Sequence, residues 1–306
     1  MSAPASPAPI PAAAAFAIGI ALYGVAAILA TDGRARRGAA LVVALAGLAA
    51  PYALPPDLPA VRATAAIAAF VATIRVVDLV VRREPVSLLR RLVHCFTTVD
   101  SFRLRRSAPA IAWRQIPRIG AFSAATAIGA WIALGVAPTI AGRAASLGVR
   151  WLGGLLTVYA LSEVAYASLD IAYRAAGFTP PRLHRNPALA RSVRDFWGRR
   201  WNRVVGEWFD ARLFRPRARR GQPLLGMTLV FLVSTLVHAY ITHVALGAGW
   251  ALVMSAFFLI QGAVALVEGP LGVARWRPAF AHAWTIAVMT ATSPLFCEPF
   301  LRVVGG

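Results

Sequence analysis

Long apolar runs separated by arginine-rich connections set the pattern of the chain. Eight runs stand out, at 10–30, 39–54, 61–81, 119–141, 147–173, 224–246, 250–268 and 280–303. About 20 apolar residues at a rise of about 1.5 Å each cross a hydrocarbon layer of about 30 Å. The second run is short, and the third and fifth contain ionisable residues. The pattern predicts an all-α polytopic membrane protein with about eight transmembrane helices and cytoplasmic interfacial amphipathic helices. Pro7, Pro9 and Pro11 stand before or at the start of the first run, where proline costs a helix little. No basic stretch precedes that run, so it reads as a spanning helix rather than a cleaved signal.

Arginine placement counts the crossings independently. All 32 basic residues are Arg, and 27 of them fall in alternate connections: 31–38, 82–118, 174–220 and the one holding Arg275 and Arg277. The positive-inside rule then puts those connections in the cytoplasm and both termini outside. Of the 306 residues, 58% are hydrophobic and 14% charged, against about 45–50% and about 25% in soluble domains. One soluble core cannot hide that much apolar side chain. The net charge of +20 would point to nucleic acid in a soluble protein; here it reports topology, and no nucleic-acid partner is expected. Cys95 and Cys297 form neither a metal-ligand spacing nor a disulfide framework. No repeat or linker divides the chain, so residues 1–306 read as one integral-membrane domain. Arg without Lys, together with abundant Ala, points to a GC-rich bacterial genome and hence to an inner membrane.

The longest polar connection is more than a tether. Val193, Phe196, Trp197, Trp201, Val204, Val205, Trp208 and Phe209 recur at offsets that describe one helix face, with Arg191, Arg194, Arg199, Arg200 and Arg203 on the remainder. Such a helix either anchors on anionic lipid or packs its aromatic stripe and lines a site with its polar residues.

Ionisable residues at membrane depth are costly and therefore candidates for function. Arg75 and Asp78, three apart, are expected to pair with each other. Glu163 and Asp170 share a face of the fifth run and serve as packing glue, a gate or a proton path. His238 lies at least halfway along the sixth run, where an imidazole must find a hydrogen-bond partner. It is read equally as a core histidine or a general base, since an ordinary pKa near 6.5 suits proton abstraction at neutral pH. His243 is placed near the outer boundary, His94 and His184 in loops, and His282 at the start of the last run.

Residues 192–202, S-V-R-D-F-W-G-R-R-W-N, resemble a signature of the wax synthase-like branch of the membrane-bound O-acyltransferases. Three further segments are similar to that family in the same order: V-F-L-V-S-T-L-V-H at 230–238, F-F-L-I-Q-G-A-V-A-L-V-E at 257–268, and S-P-L-F-C-E-P-F at 293–300. The resemblance covers 182–302; residues 1–181 match only in being helical. Thr235 stands where the family often has Gly, and Ala239 where plant wax synthases often have Glu.

The resemblance implies transfer of an acyl group from acyl-CoA, a co-substrate rather than a bound cofactor, to the hydroxyl of a lipophilic alcohol. His238 is then the general base and Asn202 an assisting amide that polarises the thioester carbonyl or holds the acceptor. Trp197, Arg199, Arg200, Trp201, Arg203, Ser234 and Asp195 are the implied substrate-binding positions, with the arginines facing the CoA phosphates. Two other classes stay open on the residues alone. One is a small transporter or channel using Glu163, Asp170 and His238; the other is a non-catalytic membrane homologue whose Arg loops dock lipid.

Overall fold

The computed structural model describes residues 12–31, 33–82 and 84–305. Pro7, Pro9 and Pro11 lie outside the described residues. Twelve helices follow along the described chain: α1 Ala12–Leu29, α2 Arg34–Gly47, α3 Pro59–Val81, α4 Leu88–Cys95, α5 Gln115–Trp131, α6 Arg143–Ala175, α7 Val193–Asp195, α8 Arg203–Phe209, α9 Arg215–Ala218, α10 Pro223–Leu246, α11 Ala248–Val267 and α12 Pro278–Gly305. Strands β1 Arg105–Arg106 and β2 Phe178–Thr179 pair antiparallel, Arg105 opposite Thr179. The protein is an all-α polytopic membrane protein.

Among the described residues, six helices are long and apolar enough to cross a membrane: α1, α3, the α5 helix continued to Thr139, α6, α10 and α11. Two of the eight expected spans differ. The 14 residues of α2 reach about 21 Å at about 1.5 Å per residue, short of a hydrocarbon core. The 28 residues of α12 are long enough, but Glu298, Arg302 and the internal Pro294 and Pro299 dilute its apolar character.

Contacts divide the chain into two compact units. The first comprises residues up to 103 with 240–248. Its core is largely alanine, with Ala26, Ala27, Ala40, Ala44, Ala69 and Ala72 packed around Tyr23 and Val76. Tyr23 and Thr73 share a hydrogen bond of 2.9 Å between α1 and α3. Arg75 and Asp78 pair at 3.0 Å as expected, and Arg75 also donates to the Thr97 and Thr98 carbonyls, which satisfies a charge buried to 2% exposure. Helix α4 is amphipathic in reverse: Leu89 and Val93 face outward while Arg91, His94 and Cys95 are buried. That polarity suits a short helix whose outer side meets lipid. His243 accepts or donates a 2.8 Å bond with the Tyr52 hydroxyl.

The second unit comprises 104–239 and 249–305. Helices α5 and α6 approach until only glycine fits between them. A Cβ on Gly129 would stand 2.7 Å from Thr157 Oγ1, and one on Gly153 would stand 2.7 Å from the Gly129 carbonyl oxygen. Glu163 and Asp170 are the polar glue of this pair. Arg118 binds Glu163 at 2.8 Å, while Arg174 and Gln115 bind Asp170 at 2.9 and 2.7 Å. Glu298 of α12 holds Arg150 at 2.9 Å and Trp151 Nε1 at 3.0 Å on α6.

Candidate active site

The aromatic run 193–209 does not form the single helix its periodicity predicts. Residues 196–200 make one wide turn, closed by a 2.8 Å bond from Trp201 N–H to the Phe196 carbonyl. Trp201 is then extended, and Asn202 adopts the left-handed conformation, φ 38° and ψ 57°, before α8 begins. Asn is among the few non-glycine residues that visit this region routinely. The break frees backbone groups that the 183–185 segment satisfies. Arg185 N–H donates to the Arg200 carbonyl and Arg203 N–H to the Leu183 carbonyl, both at 2.9 Å.

The start of the run is held by carboxylates, which favour the exposed N–H groups of a helix start. Ser192 Oγ accepts from Asp195 N–H at 2.9 Å. Buried Glu268, at the end of the 257–268 motif, accepts from Val193 N–H at 2.7 Å, Arg194 N–H at 3.1 Å and Trp284 Nε1–H at 3.1 Å. His282 bonds the Ala190 carbonyl at 3.0 Å, tying α12 to the approach. Glu268 was legible as a motif position, but its hold on residues 193 and 194 is a tertiary contact across 75 residues of sequence.

His238 sits on α10, and the geometry of its own helix selects its tautomer. Its Nδ1 lies 2.8 Å from the Ser234 carbonyl oxygen, which can only accept. Nδ1 therefore carries the proton, and Nε2 presents its lone pair. The imidazole is half-buried, with one nitrogen anchored to its own helix. Phe258 of α11 stacks on the imidazole at 3.9 Å. Helices α10 and α11 come this close because a Cβ on Gly262 would meet Phe231 Cβ at 2.8 Å. Thr235, the departure from the family pattern, is buried and bonds the Phe231 carbonyl of its own helix at 2.8 Å.

Of the nominated residues, Trp197 joins the two motifs. Its Nε1–H donates to Gln261 Oε1 at 3.0 Å, and its ring lies 5.6 Å from that of Phe258. Gln261, wholly buried, passes the interaction on to Thr292 of α12 at 2.7 Å. Trp201 stacks on Phe196 at 5.7 Å, and Phe196 packs on Trp197 at 4.9 Å. Aromatic contacts thus run from Trp201, beside Asn202, to His238 through Phe196, Trp197 and Phe258. Ser234 contributes its carbonyl to His238. Asn202 Oδ1 caps α8 by accepting from Val205 N–H at 3.5 Å, which leaves the amide NH2 as a donor.

The charged nominees divide. Asp195 pairs with Arg200 at 2.6 Å, and Arg200 also donates to the Asn186 carbonyl at 3.1 Å, so both brace the loop. Arg203 pairs with Glu207 at 2.9 Å along α8. Arg199 is exposed and makes no ion pair among the described residues. His184, read from sequence as a loop histidine, lies against this loop: its ring is 4.3 Å from Trp201, and its Nδ1 accepts the Asn202 N–H at 3.2 Å. Burial lowers its pKa to about 4, keeping it neutral.

Elsewhere, Asp78, His94 and Asp100 bring potential metal-ligand atoms within 4.8 Å of one another. The Arg75 guanidinium on Asp78 puts a positive charge beside that position, which opposes a cation there. Glu163 and Asp170, the residues a transport pathway would use, are ion-paired.

Residues 180–260 match the model of the Membrane bound O-acyl transferase family. A probable long-chain-alcohol O-fatty-acyltransferase 7 of Arabidopsis thaliana is 33% identical over 138 residues, covering 41% of this chain and 38% of that protein. A probable long-chain-alcohol O-fatty-acyltransferase 2 of the same plant is 33% identical over 132 residues, covering 40% and 36%. The long-chain-alcohol O-fatty-acyltransferase of Simmondsia chinensis is 28% identical over 166 residues, covering 50% and 45%. The chain spans less than half the length of these relatives. The similarity to wax synthase-like membrane O-acyltransferases read from the motifs is upheld over that segment. These relatives are plant proteins and lend no support to a bacterial source.

Proposed function

We propose that this protein is a membrane-embedded O-acyltransferase that moves an acyl group from acyl-CoA to the hydroxyl of a lipophilic alcohol. The observation that carries the reading is the orientation of His238 within a match to acyltransferases: Nδ1–H is fixed by the Ser234 carbonyl, and Nε2 keeps its lone pair. The reaction balances on that nitrogen. Nε2 takes the alcohol proton as the oxygen attacks the thioester carbonyl carbon. The tetrahedral intermediate collapses with cleavage of the C–S bond, and the CoA sulfur leaves with the proton returned by the imidazolium. The Asn202 amide NH2 donates to the carbonyl oxygen as it gains negative charge, a contact that strengthens in the transition state.

The arginine-rich loops face the cytoplasm in this reading, as the positive-inside rule directs. Acyl-CoA then arrives where Arg199 is free to meet its phosphates, and the alcohol arrives from the bilayer. The ion pairing of Glu163 and Asp170 disfavours a transport pathway through them.

The test is a donor-by-acceptor panel. Membranes containing the protein receive labelled acyl-CoA of graded chain length with fatty, sterol and terpenoid alcohols and diacylglycerol, and extracted lipids are read by mass spectrometry. A new ester formed one-for-one with free CoA is the expected result. Specific binding of acyl-CoA without ester or CoA release over the whole panel would refute the enzymatic reading.

A further inference from the structure

Asn202 holds an uncommon backbone conformation at the one place where the motif run breaks. A left-handed non-glycine residue persists only when its surroundings over-determine it. Four hydrogen bonds do so here. Two are the flanking backbone bonds from Arg185 to Arg200 and from Arg203 to Leu183. A third is the long cap from Val205 N–H to Asn202 Oδ1. Among the described residues, the fourth is the only one made by another residue's side chain to Asn202 itself: its N–H points at His184 Nδ1, 3.2 Å away.

The far side of the His184 ring is fixed as firmly. Ser162 Oγ donates to the Tyr159 carbonyl at 2.7 Å, so its lone pairs face the 2.9 Å contact with His184 Nε2. Nε2 therefore carries the proton and donates to Ser162, and Nδ1 is the acceptor that the Asn202 N–H requires. Trp201 packs on the ring at 4.3 Å, with Tyr159 at 6.0 Å. One tautomer satisfies every contact, and the ring runs as a strut from α6 to the residue that presents the amide.

We infer that His184 is the positioning residue of Asn202: it accepts the Asn202 N–H, anchors it through Ser162 to α6, and so aims the side-chain NH2 at the reacting carbonyl. The inference rests on the role given to Asn202 above. Burial supports it by holding the imidazole neutral, since a protonated Nδ1 could not accept. His184 touches neither substrate nor the transferred group in this account; it acts through Asn202.

Full-length protein carrying His184→Phe, His184→Asn, His184→Gln, Asn202→Ala and the His184→Phe/Asn202→Ala pair separates the possibilities. Loss of one oriented hydrogen bond that acts in the transition state corresponds to about a 10- to 100-fold fall in kcat, expected for His184→Phe with KM for acyl-CoA unchanged within about twofold. His184→Asn sets an acceptor oxygen near the Nδ1 position and should regain most of that loss. His184→Gln sets its polar group near Nε2 and should not. In the Asn202→Ala background, His184→Phe should change kcat by less than about twofold, because residues acting as one unit are not additive. An undiminished His184→Phe penalty in that background would assign the histidine to general stability and overturn the inference. Wild-type kcat in His184→Phe beside an impaired Asn202→Ala would overturn the positioning role alone, whereas full turnover in Asn202→Ala would remove the reading beneath it. Elution and thermal midpoint of each variant, with the rescue by Asn against Gln, keep the result independent of folding.

Discussion

Replacing Glu268 by Gln removes one charge and one acceptor from a fully occupied site. Oε1 accepts from Val193 N–H at 2.7 Å and Trp284 Nε1–H at 3.1 Å, while Oε2 accepts from Arg194 N–H at 3.1 Å, and the residue is 3% exposed. A glutamine retains most by placing its oxygen toward Val193 and Trp284, which sets its NH2 against the Arg194 N–H. The loss is then one bond to a charged acceptor plus a backbone donor left unpaired in the interior, about 2–4 kcal/mol in all. At about 2 °C per kcal/mol for a chain of this size, the unfolding midpoint should fall by about 4–8 °C. Detergent-solubilised protein followed by tryptophan fluorescence reads this directly. Glu84→Gln is the control, since that carboxylate is 77% exposed in its pair with Arg82 and such pairs contribute about 0–1 kcal/mol. Equal midpoints for the two variants would show that Glu268 does not hold the start of the motif run. Loosening of the motif run at Val193 and Arg194 should also lower turnover in Glu268→Gln, with Glu84→Gln unaffected.

Gly129→Ala drives a methyl to 2.7 Å from Thr157 Oγ1 and should destabilise α5 against α6 by about 1–3 kcal/mol, seen as a lower midpoint in the same assay. Arg199→Gln should raise the KM for acyl-CoA and weaken its salt dependence, because that side chain is exposed without an ion pair among the described residues. Arg200→Gln should instead lower the midpoint by about 1–3 kcal/mol equivalent, leaving Asp195 without its partner; unchanged stability would contradict its bracing role. His94 and His184 both have pKa values lowered to about 4, chiefly by burial. Between about pH 6.5 and about 4 the unfolded chain binds protons that the folded chain refuses, so stability present at neutral pH should decline as pH falls through that window. A flat midpoint from pH 7 to 4.5 would count against the neutral assignment of both rings.

The apolar runs made the helices legible, because spanning length and composition are properties of the chain itself. Two of the eight expected spans fall outside the six candidates for physical reasons: α2 is only 14 residues long, and α12 carries Glu298, which binds Arg150 and Trp151. The pairing of Arg75 with Asp78 was legible as well, being local on one helix. The periodicity of 193–209 misled because spacing reports apolar positions and is blind to a left-handed residue at 202. His238 was legible as an imidazole in need of a hydrogen-bond partner, but its tautomer depended on a carbonyl one turn earlier. The contributions of Phe258, Gln261 and Glu268, and the approach of His184 from 18 residues before Asn202, are tertiary facts with no local signature. Arg200 shows the converse: its motif position invited a phosphate-binding role, and the fold occupies it with Asp195.

The central claim is that His238 Nε2 removes the proton from an alcohol as it attacks an acyl thioester. The most direct measurement compares wild type with His238→Ala in membranes given labelled acyl-CoA and the acceptor identified by the panel, following ester and free CoA together. With general-base catalysis contributing about 100- to 10,000-fold, the variant should retain insertion, thermal stability and acyl-CoA binding while ester formation falls by at least about 100-fold. Wild-type ester formation in His238→Ala would contradict the account.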